Sequence, residues 1–484
     1  MSSDKIFGSV QTASLTIFFI FAFTVSAIFA QTGDMPLTAS KEAVLLFNQG
    51  NSKADNLEDP GTLFDQAIQK DPNFAFGYLF AGQNNREFQK NLEMAVSLMD
   101  KASPGEREWI LAAQEQANGN PAGQLGHLEQ LLKLHPSDKR VHSQMGFYYR
   151  GLGDDATALR HFKNAVKMDK QFAPVYNNIG YSNMALGRLD DAEAAFKTYI
   201  KLIPSNPNPY DSYAEFLMKT GRFDESIKQY NMALAKDPTF LASYRGIGNN
   251  YGYKGDHAKS REVYQIVLDK ATNDGQRNQA LTSIVNSYIA EGKFDKALEV
   301  NEKRRTMAEK QGDMQAVFFI HNLSGFINIE SGNLEAAASH FVMATKVSDD
   351  PGFAPAQREN RRFNERGQQA RLLAARGDFD AARVELKAMG EYLSTRKNIN
   401  QQRNFNQVSG LVELKQKNYP KAQEFFAGAN PNDPLVWYYQ AVAFEQSGDK
   451  KSAAGLYRKI ADWNQLDTPG YALVRPRAIA ALKK

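Results

Sequence analysis

Five glycines, Gly119, Gly153, Gly187, Gly221 and Gly255, stand 34 residues apart. A period held over five units marks a chain built from one supersecondary unit used again and again. Around the glycines lie the short polar turns GNPAGQ, GDDATA, GRLDDA, GRFDES and GDHAKS. Seven residues before each glycine comes a small residue: Ala112, Gly146, Gly180, Ala214 and Gly248. Nine residues after it comes a large apolar one: Leu128, Phe162, Phe196, Tyr230 and Tyr264. Tyr176, Tyr210 and Tyr244 keep the same step, and Pro136, Pro204 and Pro238 close three of the units.

These positions define a helical hairpin. The small residue lies midway along a first helix and lets a second helix approach. The glycine takes the positive φ that ends the first helix. The large side chain fills the space between the pair, and the proline stops the second helix. One hairpin cannot bury its apolar stripe alone, so neighbours must stack into a solenoid.

The order Tyr176, Ile179, Gly180, Gly187, Ala192, Phe196, Pro204 resembles the tetratricopeptide repeat, as do Tyr210 to Pro238 and Met145 to Ala165. The resemblance implies an all-α fold, an α-α superhelix of stacked helical hairpins. It is specific over residues 105–274 and looser over 31–104 and 275–466. In the latter stretch Gly292, Gly332, Gly377, Lys417 and Gly448 hold the turn slot at drifting spacings. Ala297, Ala337, Ala382, Ala422 and Ala453 follow them at a constant five residues. About twelve hairpins are expected over residues 41–466. The stretch Asp349–Gln369 reads as the most loop-like and as a hinge, and residues 467–484 as a cap or frayed tail.

Residues 1–30 read as an export signal. Leu15–Ala30 carries no charge, follows Lys5, and ends in the small residues Ser26, Ala27 and Ala30. A basic start, a short apolar core and a small-residue exit make a secretory signal peptide. Cleavage is expected after Ala30 or Ala27. Sixteen residues at 1.5 Å each span about 24 Å, short of the roughly 30 Å a membrane anchor needs. The mature form is therefore expected to have no membrane span and to be periplasmic or secreted, in a bacterial envelope. The formal net charge is +4 over 484 residues, too weak to suggest nucleic acid. There is no cysteine, which removes thiolate metal sites and cysteine nucleophiles.

Catalytic patterns fail on inspection, so no enzyme activity, cofactor or metal is expected. Lys219-Thr220-Gly221 and Ser394-x-x-Lys397 occur in the reverse of the order a penicillin-binding site requires, and Gly221 belongs to the ladder. The glycines of Gly246–Gly252 follow no strand and lie in a helix of the array. The seven histidines (127, 135, 142, 161, 257, 321 and 340) look scattered. Residues 358–383 hold seven arginines, which read as a solvated helix face with i,i+4 partners before they read as a docking site for an acidic partner.

The resemblance implies that first helices line an inner groove that takes peptide or protein segments. Its slots fall on Phe147, Asn177, Asn178, Tyr181, Asp211, Glu215, Arg245, Asn249 and Tyr253, with Ser143, Arg150, Met184, Ser212 and Met218 beside them. Amides bracket peptide groups, while Tyr and Met give adaptable apolar contact. Family members that clamp a chaperone's C-terminal carboxylate place Lys, Asn and Arg in slots that here read Ser143, Phe147, Asn178, Asn208 and Ser212, and only the middle Asn agrees. The expectation is an exported scaffold for a protein or peptide partner. A glycan-handling solenoid of an export or assembly system is the alternative.

Overall fold

The computed structural model describes residues 34–82, 85–350, 352–396, 398–465 and 467–484. The signal-peptide assignment, residues 1–30, lies outside the described residues. Among these there are 24 α-helices, two short 3-10 turns and no strand. None of the described helices is long and apolar enough to cross a membrane. Consecutive helices pair: α4 (Pro104–Ala117) with α5 (Pro121–Leu134), α6 (Lys139–Gly151) with α7 (Asp155–Met168), and α8 (Ala173–Ala185) with α9 (Leu189–Leu202). The pattern continues through α12 (Leu241–Tyr253) with α13 (His257–Lys270), α14 (Asp274–Ala290) with α15 (Phe294–Lys310), and α16 (Met314–Ser331) with α17 (Leu334–Ser348). It ends in α18 (Pro355–Arg376) with α19 (Phe379–Ser394), α20 (Ile399–Lys415) with α21 (Tyr419–Ala427), and α22 (Pro434–Gln446) with α23 (Lys450–Ala461).

Five hairpins are held by the glycine–ring contact the sequence implies. A Cβ on Gly146 would lie 2.4 Å from the Phe162 ring, and one on Gly180 would lie 2.6 Å from Phe196. The same closeness recurs for Gly248 with Tyr264, Gly325 with Phe341 and Gly410 with Phe426. In every case the two residues are 16 apart. The contact thus persists in hairpins where the repeat spacing drifts, and the drift resides in longer helices such as α14, α15 (17 residues each) and α16 (18). Many of the turns share one chemistry: a left-handed residue, then an Asp or Asn whose side chain caps the next helix, although Arg188, Arg222 and Lys293 take that place in three others. Asp154, Asp256, Asp313, Asp378 and Asp449 all accept from a backbone N–H in the first turn of the helix they open. Lys417 fills the left-handed slot with φ 66° in place of glycine.

Two expectations change. Most of the stretch read as a hinge is α18, a helix of 22 residues, and among the described residues only 349–350 and 352–354 of that stretch lie outside it. Pro355 starts it at a position where no N–H is needed, and Gln357 reaches back to the Ala354 N–H at 3.1 Å. The residues after Trp463 also carry a regular helix, α24 (Pro469–Ala481).

The chain divides into two units. One runs to Phe216 and takes in Ala235–Asp237; the other comprises Leu217–Leu234 and everything from Pro238. The first is cored by Phe47, Phe74, Phe76, Trp109 and Leu131 at its start and by Phe162, Phe172 and Val175 further on. The second is cored by Val285, Ile289, Ile327, Trp437, Ile460 and Val474.

Candidate functional site

Positions 147, 181, 215, 249 and 283 form one 34-residue ladder, and 177, 211, 245 and 279 form another. In the first unit their side chains are joined. Arg150 donates to Asn178 Oδ1 at 2.6 Å and its guanidinium lies 5.3 Å from the centre of the Tyr181 ring. The Tyr181 hydroxyl donates to Glu215 Oε2 at 2.6 Å, across one repeat from α8 to α10 (Asn208–Lys219). Burial and then the Glu215 carboxylate push the Tyr181 phenol far above its ordinary value, and burial pulls the Arg150 guanidinium down. Tyr181 is also a packing residue, with its ring edge-on to Phe196 at 5.2 Å. Phe147 meets Phe162 in the same way at 5.4 Å. Asn178 is buried, and Asn177 is half-buried with its Oδ1 unpartnered. Asp211 and Glu215 are half-buried, whereas Ser143, Ser212 and Met218 are buried.

In the second unit the chain's own C-terminal segment meets the ladder at Ser283 and covers the neighbouring Tyr253 and Asn286. Arg245 donates to Gln279 at 3.0 Å, one repeat on, and Tyr264 donates to Asn249 at 2.6 Å. Ser283, the next rung after Asn249, donates to Asp467 Oδ2 at 2.6 Å. Asn286 donates to Asp467 Oδ1 at 2.8 Å and to its carbonyl at 3.1 Å. The ring of Tyr253 faces Tyr471 of α24 at 6.3 Å, and its carbonyl accepts from Arg475 at 3.0 Å. Tyr253, read from the sequence as an open groove residue, is therefore covered by α24. Arg477 on the same helix pairs with Glu330 at 3.0 Å.

Gln279 and Ser283 lie one rung beyond Arg245 and Asn249, the last ladder positions expected from the sequence. The 34-residue step would have reached both. Nothing periodic marks Asp467, Tyr471 or Arg475, because they belong to the segment that meets the ladder and not to the ladder itself.

Four of the seven histidines form two pairs. His142 and His161 bring their Nδ1 atoms to 3.2 Å, and His321 and His340 repeat the arrangement at 3.2 Å with the same 19-residue separation. Burial lowers all four pKa values, that of His161 to about 4. The arginines of 358–383 are largely paired: Arg366 with Glu385, Arg376 with Glu335 and Arg383 with Asp380, each at 3.0 Å, and Arg362 with Asp349 at 3.2 Å. Arg361 is buried over the Phe353 ring at 3.4 Å. Ser394 ends α19, its hydroxyl donating to the Glu391 carbonyl, and Lys397 lies outside the described residues.

Tetratricopeptide repeat models match residues 183–247, 145–207 with 409–466, and 366–388. Among solved structures the chain is similar to MamA at 21% identity over 34% of this chain and 91% of that one, with a TM-score of 0.31. It is similar to YrrB, described as a tetratricopeptide repeat protein with an unusual peptide-binding site, at 16% identity over 45% and 96%, TM-score 0.29. A tetratricopeptide repeat protein from Parabacteroides merdae matches at 14% identity over 63% and 98%, TM-score 0.34. No curated protein matches the sequence. What the repeat matches and the stacked hairpins establish together is an all-α chain that carries tetratricopeptide repeats in residues 145–207, 183–247, 366–388 and 409–466.

Proposed function

We propose that this chain is an exported protein-interaction scaffold that binds a polypeptide segment along its first-helix ladder. One observation carries the reading. In the second unit the ladder already meets a polypeptide at Ser283, which donates to Asp467, and beside it Asn286 donates to Asp467 and the Tyr253 carbonyl accepts from Arg475. A surface that takes a carboxylate through hydroxyl and amide donors, and a cation through a carbonyl, is built to read polar peptide groups. The first-unit ladder offers the same kinds of group in Asn177, Asn178, Tyr181, Asp211 and Glu215. Export rests on the basic start, apolar core and small-residue exit of residues 1–30.

Crosslinking in intact cells, followed by mass spectrometry of captured chains, tests the binding role. Arg245→Glu reverses a half-buried ladder charge that donates to the neutral Gln279. It is expected to keep the helical signal and the melting temperature while losing the captured partner. Undiminished capture would place the contact away from the ladder.

A further inference from the structure

A cavity of about 400 Å³ lies in the second unit between α12–α14 and the C-terminal helix. Small-molecule sites fall at roughly 300–1,000 Å³. Three of its lining residues carry buried polar atoms with no hydrogen-bond partner: Asn286 Oδ1, Arg475 Nε and His257 Nδ1. Asn286 is 2% exposed, and its amide orientation is fixed because Nδ2 donates to Asp467. Its free atom is therefore an acceptor that asks for a donor. Arg475 spends Nη1 on the Tyr253 carbonyl and Nη2 on Asn464, leaving Nε–H as a donor that asks for an acceptor. His257 is held neutral by burial, so Nδ1 serves either role.

The charge around the cavity is unbalanced. Arg475 and Lys483 line it, and neither pairs with a carboxylate among the described residues. Lys254 pairs outward with Asp224, and the one lining carboxylate, Asp467, accepts from the neutral donors Ser283 and Asn286 and keeps its charge, so Arg475 and Lys483 face a single anion. A guanidinium with a buried N–H that meets no acceptor is costly, and an anion is the acceptor that best answers it. Tyr253, Tyr264 and Tyr471 supply apolar ring surface to the remaining wall. Pro476, inside α24, removes the N–H that the Ala472 carbonyl would take, and both residues face the same space.

We propose that this cavity binds a small hydroxylated carboxylate of sugar-acid size, its carboxylate on Arg475 Nε and a hydroxyl donating to Asn286 Oδ1. The anion answers the unpaired cations, the hydroxyl answers the free amide oxygen, and the carbon skeleton lies against the tyrosines. This site is independent of the peptide-scaffold reading, since it lies beneath α24 and needs no partner protein.

Calorimetric titration of the full chain with D-glucuronate, D-galacturonate and D-gluconate tests it, with D-glucose as the neutral control. At least one acid is expected to bind saturably, and at least ten-fold more tightly than glucose. Arg475→Gln should weaken that acid ten-fold or more. Because Arg475 also helps seat α24, Ala480→Trp provides a second variant: Ala480 is exposed at the cavity rim, so the ring should block entry without disturbing the fold. Absence of binding by all three acids, equal binding of glucose, or acid binding that survives both variants would each overturn the proposal, the last two by removing the anion and the cavity from the explanation.

Discussion

Two glycines in one hairpin show how different the demands on a single residue can be. At Gly180 a Cβ would lie 2.6 Å from the Phe196 ring, while at Gly187 nothing lies within 4 Å but φ is 73°. Gly180→Ala is expected to cost about 1–3 kcal/mol through overpacking, and Gly187→Ala about 1 kcal/mol through backbone strain alone. Urea midpoints of the two variants should separate in that order, and equal midpoints would contradict the close approach. Both roles were legible in the sequence because the ladder repeats them. The histidine pairs were not, because their 19-residue spacing crosses a hairpin and matches no ligand motif, although its recurrence at His142–His161 and His321–His340 was a usable signal. Since burial depresses these pKa values in the folded chain, the unfolded chain takes up protons first. Stability from these groups is present above about pH 6.5 and is lost as pH falls toward 4. His161→Phe, which keeps the ring beside Tyr149, should lose less melting temperature across that window than the wild type does. Asp55 runs the other way. Burial raises its pKa from 3.8 to about 8, so its contribution is present at low pH and is lost as pH rises through 8. Asp55→Asn should therefore gain melting temperature over the wild type at pH 8.5 and not at pH 4, and an equal gain at both would exclude the titration.

At the level of the element, capping and ion pairing overrode composition. The polar, arginine-rich stretch before Gly377 lacks a strong apolar stripe, which is why it reads as loop. Yet Pro355, the Gln357 cap and the pairs of Arg362, Arg366 and Arg376 hold it as α18. Those pairs reach mostly to other elements, Glu385 on α19 and Glu335 on α17, so a search for i,i+4 partners along one helix could not find them. The same holds for α24. Its apolar residues Tyr471, Leu473, Val474 and Ala478 are buried against α14, α22 and α23, a packing that no local pattern specifies. Deleting residues 467–484 should expose Leu281, Ile284, Val285 and Ile460. A lower melting temperature with new binding of an apolar dye is the expected result, and an unchanged melt would mean that α24 is not part of the core.

For the whole molecule, the fold class followed from period and hairpin chemistry, whereas the division into two units did not. The boundary passes between Phe216 and Leu217, inside α10 and inside the stretch where the 34-residue register is strictest, so no break in the ladder announces it. Circular dichroism should show a predominantly helical protein with little strand. Export predicts that the native protein begins at Gln31 or Ile28, and N-terminal sequencing that finds Met1 or Ser2 on membrane-bound material would refute cleavage. The bond from Asn286 to Asp467 also has a meaning in time. Its partners are 181 residues apart, and synthesis at about 5–20 residues per second separates their appearance by roughly ten to forty seconds. Throughout that interval Ser283, Asn286 and Tyr253 lack the segment that covers them. A newborn chain therefore presents, for a short and predictable window, a surface that the finished protein has closed on itself.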